Sequence, residues 1–147
     1  KEMSEDHGVE WHGRSYDQSN WQSADPVNKA LSAANSCLYG LCLSAINSIG
    51  CSAGIGFIHS GKQLSFVYDI ADLYKTEITI PIAFLAATSG ETGKKVESLA
   101  RFLCRDKFRE LKLIKRIVPD ILRLLYGDSN NGASDEITEG VDVAVNY

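Results

Sequence analysis

Apolar residues recur every three or four positions between Asp25 and Gly50, which is the spacing of one helix face. Asp25 is a favourable N-cap and Pro26 a favourable first helical residue, while Gly50 predicts the end of the helix. The predicted helix carries one charged residue, Lys29, so it must be covered on most of its sides. We therefore expect an all-α fold with several helices around this long buried central helix. Its apolar positions are Val27, Ala30, Leu31, Ala34, Leu38, Leu41, Cys42, Ala45, Ile46 and Ile49.

A glycine-rich stretch over residues 51–64 predicts a loop that leads into a short second helix. Ser65 is suited to cap this helix, which would run to about Leu73. Phe66, Ile70 and Leu73 would then share one apolar face.

Three more helices are predicted in the second half of the chain. The first begins near Pro81 and stops at Ser89-Gly90. Thr92 can cap the next, whose apolar positions continue to Ile117. Pro119 would start a last short helix that ends at Gly127.

The pattern divides the chain into three parts. Residues 1–24 predict an irregular lead-in, residues 25–127 the helical domain, and residues 128–147 a flexible acidic tail. Alternation over residues 141–147 is typical of a short strand. The start is charged, lacks an initiator Met and resembles no signal peptide, so we expect an internal cut in a longer protein.

The composition is that of a globular protein. Hydrophobic residues make up 44% and charged residues 23% of 147 residues, which excludes a disordered or collagen-like chain. No apolar run has the length of a membrane span, so no membrane is expected. The four cysteines form no C-x-x-C pair and lie in apolar stretches, which predicts reduced core cysteines in a cytoplasmic protein.

Charge is distributed unevenly. The net charge is −4, yet residues 83–127 carry 10 basic and 5 acidic groups, and residues 128–147 carry 5 acidic groups and no basic one. The basic region is compatible with a solvated helix face or with a face that binds nucleic acid.

Three residues are candidates for metal chemistry. Asp69 and Asp72 are three positions apart on a predicted helix, so they lie on one face, and His59 precedes them in the loop. Two carboxylates and an imidazole suit Mg²⁺ or Mn²⁺, which assist phosphodiester chemistry. Alternatively, Asp69 could cap a helix turn or pair with Lys75, and His59 could be an ordinary loop histidine.

A twenty-residue segment from Gly56 to Lys75 resembles the signature of the CRISPR-associated integrase family of spacer acquisition, most closely subtype I-E. Residues 36–40, 104–109 and 11–17 also resemble that family. The resemblance covers roughly residues 9–127. It implies that this helical domain is the catalytic domain and that the protein is a DNA endonuclease and integrase in antiviral defence.

The resemblance also implies a metal site. The family binds Mn²⁺ or Mg²⁺ through a Glu, a His and an Asp, and the last two match His59 and Asp72. Asp69 matches a further required residue beside the site. The family's Glu lies upstream of the matched lead-in, so we expect the site to be incomplete and this chain alone to be inactive.

Other residues match positions near DNA in the family. Lys75 would neutralise phosphate charge, or is an exposed lysine. Arg105 would bind a phosphate, or is buried in an ion pair with Asp69 or Asp72. Tyr39 would stack on an unpaired base or belong to the core. The complete set of expected DNA-binding residues is Tyr16, Tyr39, Lys62, Arg101, Arg105 and Arg109.

The implied reaction is a transesterification, in which the 3′-hydroxyl of a foreign DNA fragment attacks a phosphate of the CRISPR repeat. The expected partners are double-stranded DNA with unpaired ends, CRISPR repeat DNA, a second copy in a homodimer, and a small dimeric adaptor protein that the acidic tail could contact. The residues alone also fit a metal-dependent DNA-repair nuclease or a non-catalytic helical interaction module.

Overall fold

Every regular element of the described residues is helical, which confirms the predicted all-α class. The computed structural model describes residue 13 and residues 25–89 and 95–127. A π-helical turn, Lys75–Thr79, joins the second helix to the third. The five α-helices are α1 (Pro26–Ser48), α2 (Ser65–Tyr74), α3 (Ile80–Thr88), α4 (Val96–Glu110) and α5 (Leu113–Tyr126).

Both predicted ends of α1 are confirmed. The backbone N–H of Asn28 donates to Oδ1 of Asp25 at 2.9 Å, which is an N-cap hydrogen bond. The Asn28 amide also donates to the Asp25 carboxylate and, at 3.2 Å, to the carbonyl of Gly13. Gly50 follows the last turn with a φ of +74°, a conformation that glycine adopts at low cost.

The predicted second helix is correct in extent but not in its cap. The Ser65 hydroxyl donates to the carbonyl of Lys62 at 2.8 Å and accepts from the Lys62 N–H at 3.2 Å, so it closes a turn before α2. Phe66 and Ile70 are buried as expected, whereas Leu73 is 53% exposed. The expectation that Leu73 shares their buried face is therefore wrong.

The π-helical turn replaces the break that was expected before Pro81. Proline has no N–H to donate to the carbonyl four residues earlier, so the regular α-helical ladder cannot continue there. The N–H of Ile80 instead donates to the carbonyl of Lys75, five residues back. The buried hydroxyl of Thr79 donates to Oδ1 of Asn35 on α1 at 2.7 Å. The chain thus stays helical from Ser65 to Thr88.

The basic half of the chain contains a helix break that the apolar pattern did not reveal. Lys112 adopts a left-handed conformation, with φ and ψ both 46°, and separates α4 from α5. The expected single helix to Ile117 and the expected start at Pro119 are both wrong, because Pro119 lies inside α5. The predicted end at Gly127 is confirmed. Thr92 lies outside the described residues.

The described residues divide into two compact units, one formed by residues 25–38, 72–89 and 95–107 and the other by residues 39–71 and 108–127. Each has its own set of buried apolar side chains. Large members in the first unit are Val27, Leu38, Ile78 and Phe84, and large members in the second are Ile46, Val67, Ile70, Leu113, Ile117, Val118 and Ile121.

All four cysteines are described and free; Cys42 and Cys104 are buried, as predicted for core cysteines, whereas Cys37 and Cys51 are only half-buried. None of the helices in the described ranges is long and apolar enough to cross a membrane. The predicted strand and acidic tail fall on residues 128–147, outside the described residues, as does the lead-in apart from Gly13.

The loop between α1 and α2 leaves no room for a side chain at Gly56. A Cβ atom on Gly56 would lie 2.5 Å from the carbonyl oxygen of His59, 2.7 Å from Oδ2 of Asp69 and 2.8 Å from the carbonyl carbon of Ser65. Two of these atoms belong to the backbone and the third to a buried carboxylate, so none can move aside without disturbing the loop.

We predict that Gly56→Ala lowers the free energy of unfolding by about 2–3 kcal/mol, because the added methyl group overlaps fixed atoms. Gly54→Ala is the matched control, since its Cβ would meet its nearest neighbour at 3.5 Å, an ordinary contact. Urea unfolding followed by circular dichroism measures both variants. Equal stability of the two variants would contradict the close approach at Gly56.

Candidate active site

The carboxylate of Asp69 binds the loop that precedes α2. Its oxygens accept hydrogen bonds from the backbone N–H groups of Phe57, Ile58 and His59, with N···O distances of 2.5, 3.0 and 2.9 Å. Nδ1 of His59 lies 2.6 Å from Oδ1 of the same carboxylate. Four donors use the acceptor sites that a carboxylate offers. Asp69 thereby holds the loop against α2.

These contacts keep Asp69 ionised. Desolvation by burial raises the pKa of Asp69, but the hydrogen bonds from Ile58, His59 and Phe57 favour the charged form and outweigh it, lowering the pKa from 3.8 to about 2. Asp69 is therefore a carboxylate, which only accepts hydrogen bonds, at any pH near neutrality.

The ionised carboxylate determines the tautomer of His59. Because Asp69 can only accept, Nδ1 of His59 carries the hydrogen between them. In the neutral ring the lone pair is then on Nε2, which is the atom that can bind a metal. The His59 side chain is 38% exposed, and its ring packs edge-on against Tyr68 with centroids 5.7 Å apart.

Tyr68 is the residue of this cluster that the sequence reasoning missed. Its ring also packs edge-on against Tyr39, with centroids 5.0 Å apart and an interplanar angle of 72°. Tyr68 could have been predicted as a site residue from its position directly before Asp69 in the family signature. Tyr39 is half-buried, whereas Lys62 is exposed. Tyr16, the other expected aromatic DNA contact, lies outside the described residues.

Asp72 lies one helical turn after Asp69, in a different environment. Its side chain is 45% exposed, compared with 5% for Asp69. Nζ of Lys75 lies 2.5 Å from Oδ1 of Asp72, an i,i+3 pair on the same stretch of helix. The pair is partly exposed, so solvent weakens it, and it is worth on the order of 1 kcal/mol.

The described residues contain no group of three or more His, Cys, Asp and Glu side chains that could hold a metal ion. A site that used His59 and Asp72 would need at least one more ligand. That His59 and Asp72 bind the same ion stays a prediction. In the structure, His59 contacts Asp69, and Asp72 forms an ion pair with Lys75.

The predicted DNA-binding arginines are exposed on α4. The Arg105 side chain is 53% exposed and binds Asp106, with Nε 2.9 Å from Oδ1. Its guanidinium also lies 5.2 Å from the centre of the Phe102 ring. The alternative of a buried ion pair between Arg105 and Asp69 or Asp72 is therefore wrong. The three arginines, four residues apart, are Arg101, Arg105 and Arg109.

A cavity of about 380 Å³ lies where α4 meets α5. Apolar side chains from both helices and from α1 line it, and three cationic residues surround them. Arg109 thus belongs to a basic cluster created by the break at Lys112. The cavity is lined by Leu41, Phe108, Arg109, Lys112, Leu113, Ile114 and Lys115.

Comparison with known proteins identifies relatives. Residues 2–98 match the profile of the family described as CRISPR associated protein Cas1. The CRISPR-associated endonuclease Cas1 of Clostridium sp. (strain SY8519) is 53% identical over 127 residues, which are 86% of this chain and 42% of that protein. CRISPR-associated endonuclease Cas1 2 of Thermus thermophilus is 52% identical over 124 residues, 84% of this chain and 38% of that protein.

Solved structures agree with the sequence comparison. The crystal structure of a TtCas1–DNA complex superposes with a TM-score of 0.80 and 50% identity, over 86% of this chain and 47% of that one. The chain thus spans less than half the length of the relatives it matches. Because the profile covers about two thirds of the sequence and the relatives share about half of its residues, this chain belongs to the Cas1 family of CRISPR-associated proteins.

Proposed function

We propose that this chain forms part of the catalytic domain of a metal-dependent DNA endonuclease and integrase that inserts foreign DNA fragments as spacers into a CRISPR array. The observation that supports the proposal is the hydrogen bond between Asp69 and Nδ1 of His59, which leaves Nε2 of His59 available to bind a cation. The endonuclease names of the relatives support the same activity.

His59 and Asp72 would hold Mn²⁺ or Mg²⁺, together with at least one further carboxylate. The donor set fits such an ion, because a neutral imidazole and a partly exposed carboxylate are an N,O pair that Mn²⁺ accepts readily. When bound, the ion supplies a Lewis acid that polarises a phosphodiester and stabilises the charge that develops on it.

The residues of this chain position the groups around that ion. Asp69 is a positioning residue, since its hydrogen bonds are committed to the loop and to Nδ1 of His59. Lys75 would exchange its pair with Asp72 for a phosphate oxygen when DNA binds. Each residue would thus act through its charge or through the orientation that it imposes.

The exposed stripe on α4 would bind the DNA backbone. Arg105 has a fork of N–H donors that matches phosphate oxygens, and its present partner, Asp106, is exposed and exchangeable. Lys62 would add a charge, and Tyr39 and Tyr16 would stack on unpaired bases. A related structure contains DNA, which supports a nucleic-acid partner.

The remaining partners follow from the resemblance. They are CRISPR repeat DNA and duplex fragments with unpaired ends as substrates, a second copy of the protein, and a small dimeric adaptor protein. The cytoplasm is the compartment in which such an enzyme would meet both DNAs.

We predict that Asp72→Asn in the full-length protein lowers metal-dependent strand transfer by at least about 100-fold, because the amide keeps the shape of the side chain but loses the charge that holds the cation. His59→Ala should lower it equally. The assay measures the joining of a labelled DNA fragment to a plasmid that carries a CRISPR array, in Mn²⁺.

The matched control is Asp120→Asn. Asp120 also forms an i,i+3 pair, with Nη1 of Arg123 at 3.2 Å, but lies on α5. This variant should retain normal strand transfer. Wild-type activity in both the Asp72→Asn and the His59→Ala proteins would disprove their assignment as metal ligands.

We predict that Asp69→Asn is about 2 kcal/mol less stable than the wild type at pH 7, and that the difference shrinks as the pH falls from about 4 to 2. The folded-state pKa lies below the unfolded value of 3.8, so the stabilisation is complete above that value and is lost as Asp69 becomes protonated in the folded protein. Urea unfolding at several pH values measures it.

The exposed-pair variant Asp120→Asn serves again as the control and should change stability by less than about 1 kcal/mol at every pH. A stability difference for Asp69→Asn that stayed constant down to pH 2 would mean that the charge of Asp69 does not hold the loop.

A further inference from the structure

Two cysteines from different helices meet within the first compact unit. Cys37 lies on α1 and Cys104 on α4, and both are free. The Sγ atom of Cys104 is 4.0 Å from the carbonyl oxygen of Ala34, which precedes Cys37 by one helical turn. Cys104 is completely buried, whereas Cys37 is half-buried and reaches solvent.

The two thiols differ in acidity because of their contact. A hydrogen bond from the Cys104 thiol lowers the pKa of Cys37 to about 7, against the opposing effect of burial and with help from the charge of Arg101. The same hydrogen bond and burial raise the pKa of Cys104. Cys37 is therefore the more acidic thiol of the pair and Cys104 the less acidic one.

Small side chains allow the two helices to approach at this point. Ala33 and Ala34 on α1 and Ala100 on α4 are at most 5% exposed, and each precedes one of the two cysteines by three or four residues. A disulfide needs Cα atoms about 4.4–6.8 Å apart, and small residues in a helix contact permit such separations. The Sγ atom of Cys104 contacts the carbonyl oxygen of Ala34, so α4 touches α1 one helical turn before Cys37.

We propose that Cys37 and Cys104 form a peroxide-reactive dithiol, a modification site that joins α1 to α4 by a disulfide. Cys37 is the half-buried, reactive member, and Cys104 is the buried resolving member. The proposal concerns a chemistry separate from strand transfer and does not depend on it.

The reaction proceeds in two balanced steps. The Cys37 thiolate attacks one oxygen of hydrogen peroxide; an S–O bond forms, the O–O bond breaks, and hydroxide leaves and takes a proton to become water. The sulfur of Cys104 then attacks the Cys37 sulfenic acid; the S–S bond forms, the S–O bond breaks, and water leaves with the Cys104 proton. Two thiols are oxidised and one peroxide is reduced to two waters.

The disulfide would link the basic helix α4 to α1, the longest helix of the described residues. α4 carries Arg101, whose positive charge helps to lower the pKa of Cys37 in the reduced form. Oxidation removes that negative charge and cross-links residues 67 positions apart (104 minus 37). A cross-link over a loop of this length restricts the unfolded chain, so the oxidised protein should resist thermal unfolding.

The test uses the intact wild-type protein, so it does not depend on a variant that folds. The protein is treated with hydrogen peroxide at pH 7, the remaining thiols are alkylated, and digested peptides are identified by mass spectrometry. We expect a linked Cys37–Cys104 peptide, two hydrogen masses lighter than the separate peptides, and a melting temperature raised on the order of 10 °C. A reductant should reverse both changes.

Cys51 is the matched control within the same chain, because it is also half-buried. In the reduced protein, Cys37 should react with iodoacetamide on the order of threefold to tenfold faster than Cys51. In Cys104→Ser, peroxide should leave a sulfenic acid on Cys37 that dimedone traps. Oxidation of Cys51 before Cys37, or a folded protein in which Cys37 and Cys104 stay unlinked after peroxide, would overturn the proposal.

Discussion

The buried carboxylate of Asp69 is the interaction on which the candidate active site depends. It satisfies three consecutive backbone N–H groups of the loop before α2 and, with the same two oxygens, orients the ring of His59. A charged group is expensive to bury unless donors surround it, and here the loop backbone provides them. The loop N–H groups therefore stabilise the buried carboxylate, and the carboxylate in turn holds the loop and determines the tautomer of His59.

Burial separates two carboxylates that look alike in the sequence. Asp69 and Asp72 are three residues apart on one helix, yet Asp69 is almost fully buried and binds the loop, while Asp72 is half-exposed and pairs with Lys75. The first is suited to hold a neighbour in place, and the second is suited to receive a cation. This division supports the roles proposed for them in phosphodiester chemistry.

The helices could be predicted where a local signal marks their ends. Asp25 caps α1, Gly50 and Gly127 end α1 and α5, and the signature around His59 pointed to the site. The errors occurred where a non-local contact or an uncommon backbone state determines the path. Lys112 adopts a left-handed backbone conformation, which is usually predicted from a glycine. Because no glycine is present and the apolar spacing continues past Lys112, the sequence pattern did not predict this helix break.

The sequence by itself determined the helical class, the extent of α1 and α2, and the family, because helix caps, apolar periodicity and a long signature are properties of neighbouring residues. The tertiary structure alone decided which carboxylate is buried, which nitrogen of His59 carries the hydrogen, and that Cys37 meets Cys104. These outcomes depend on burial and on contacts between residues as far apart as 70 positions, and the spacing of residues along the sequence does not give distances in the folded protein.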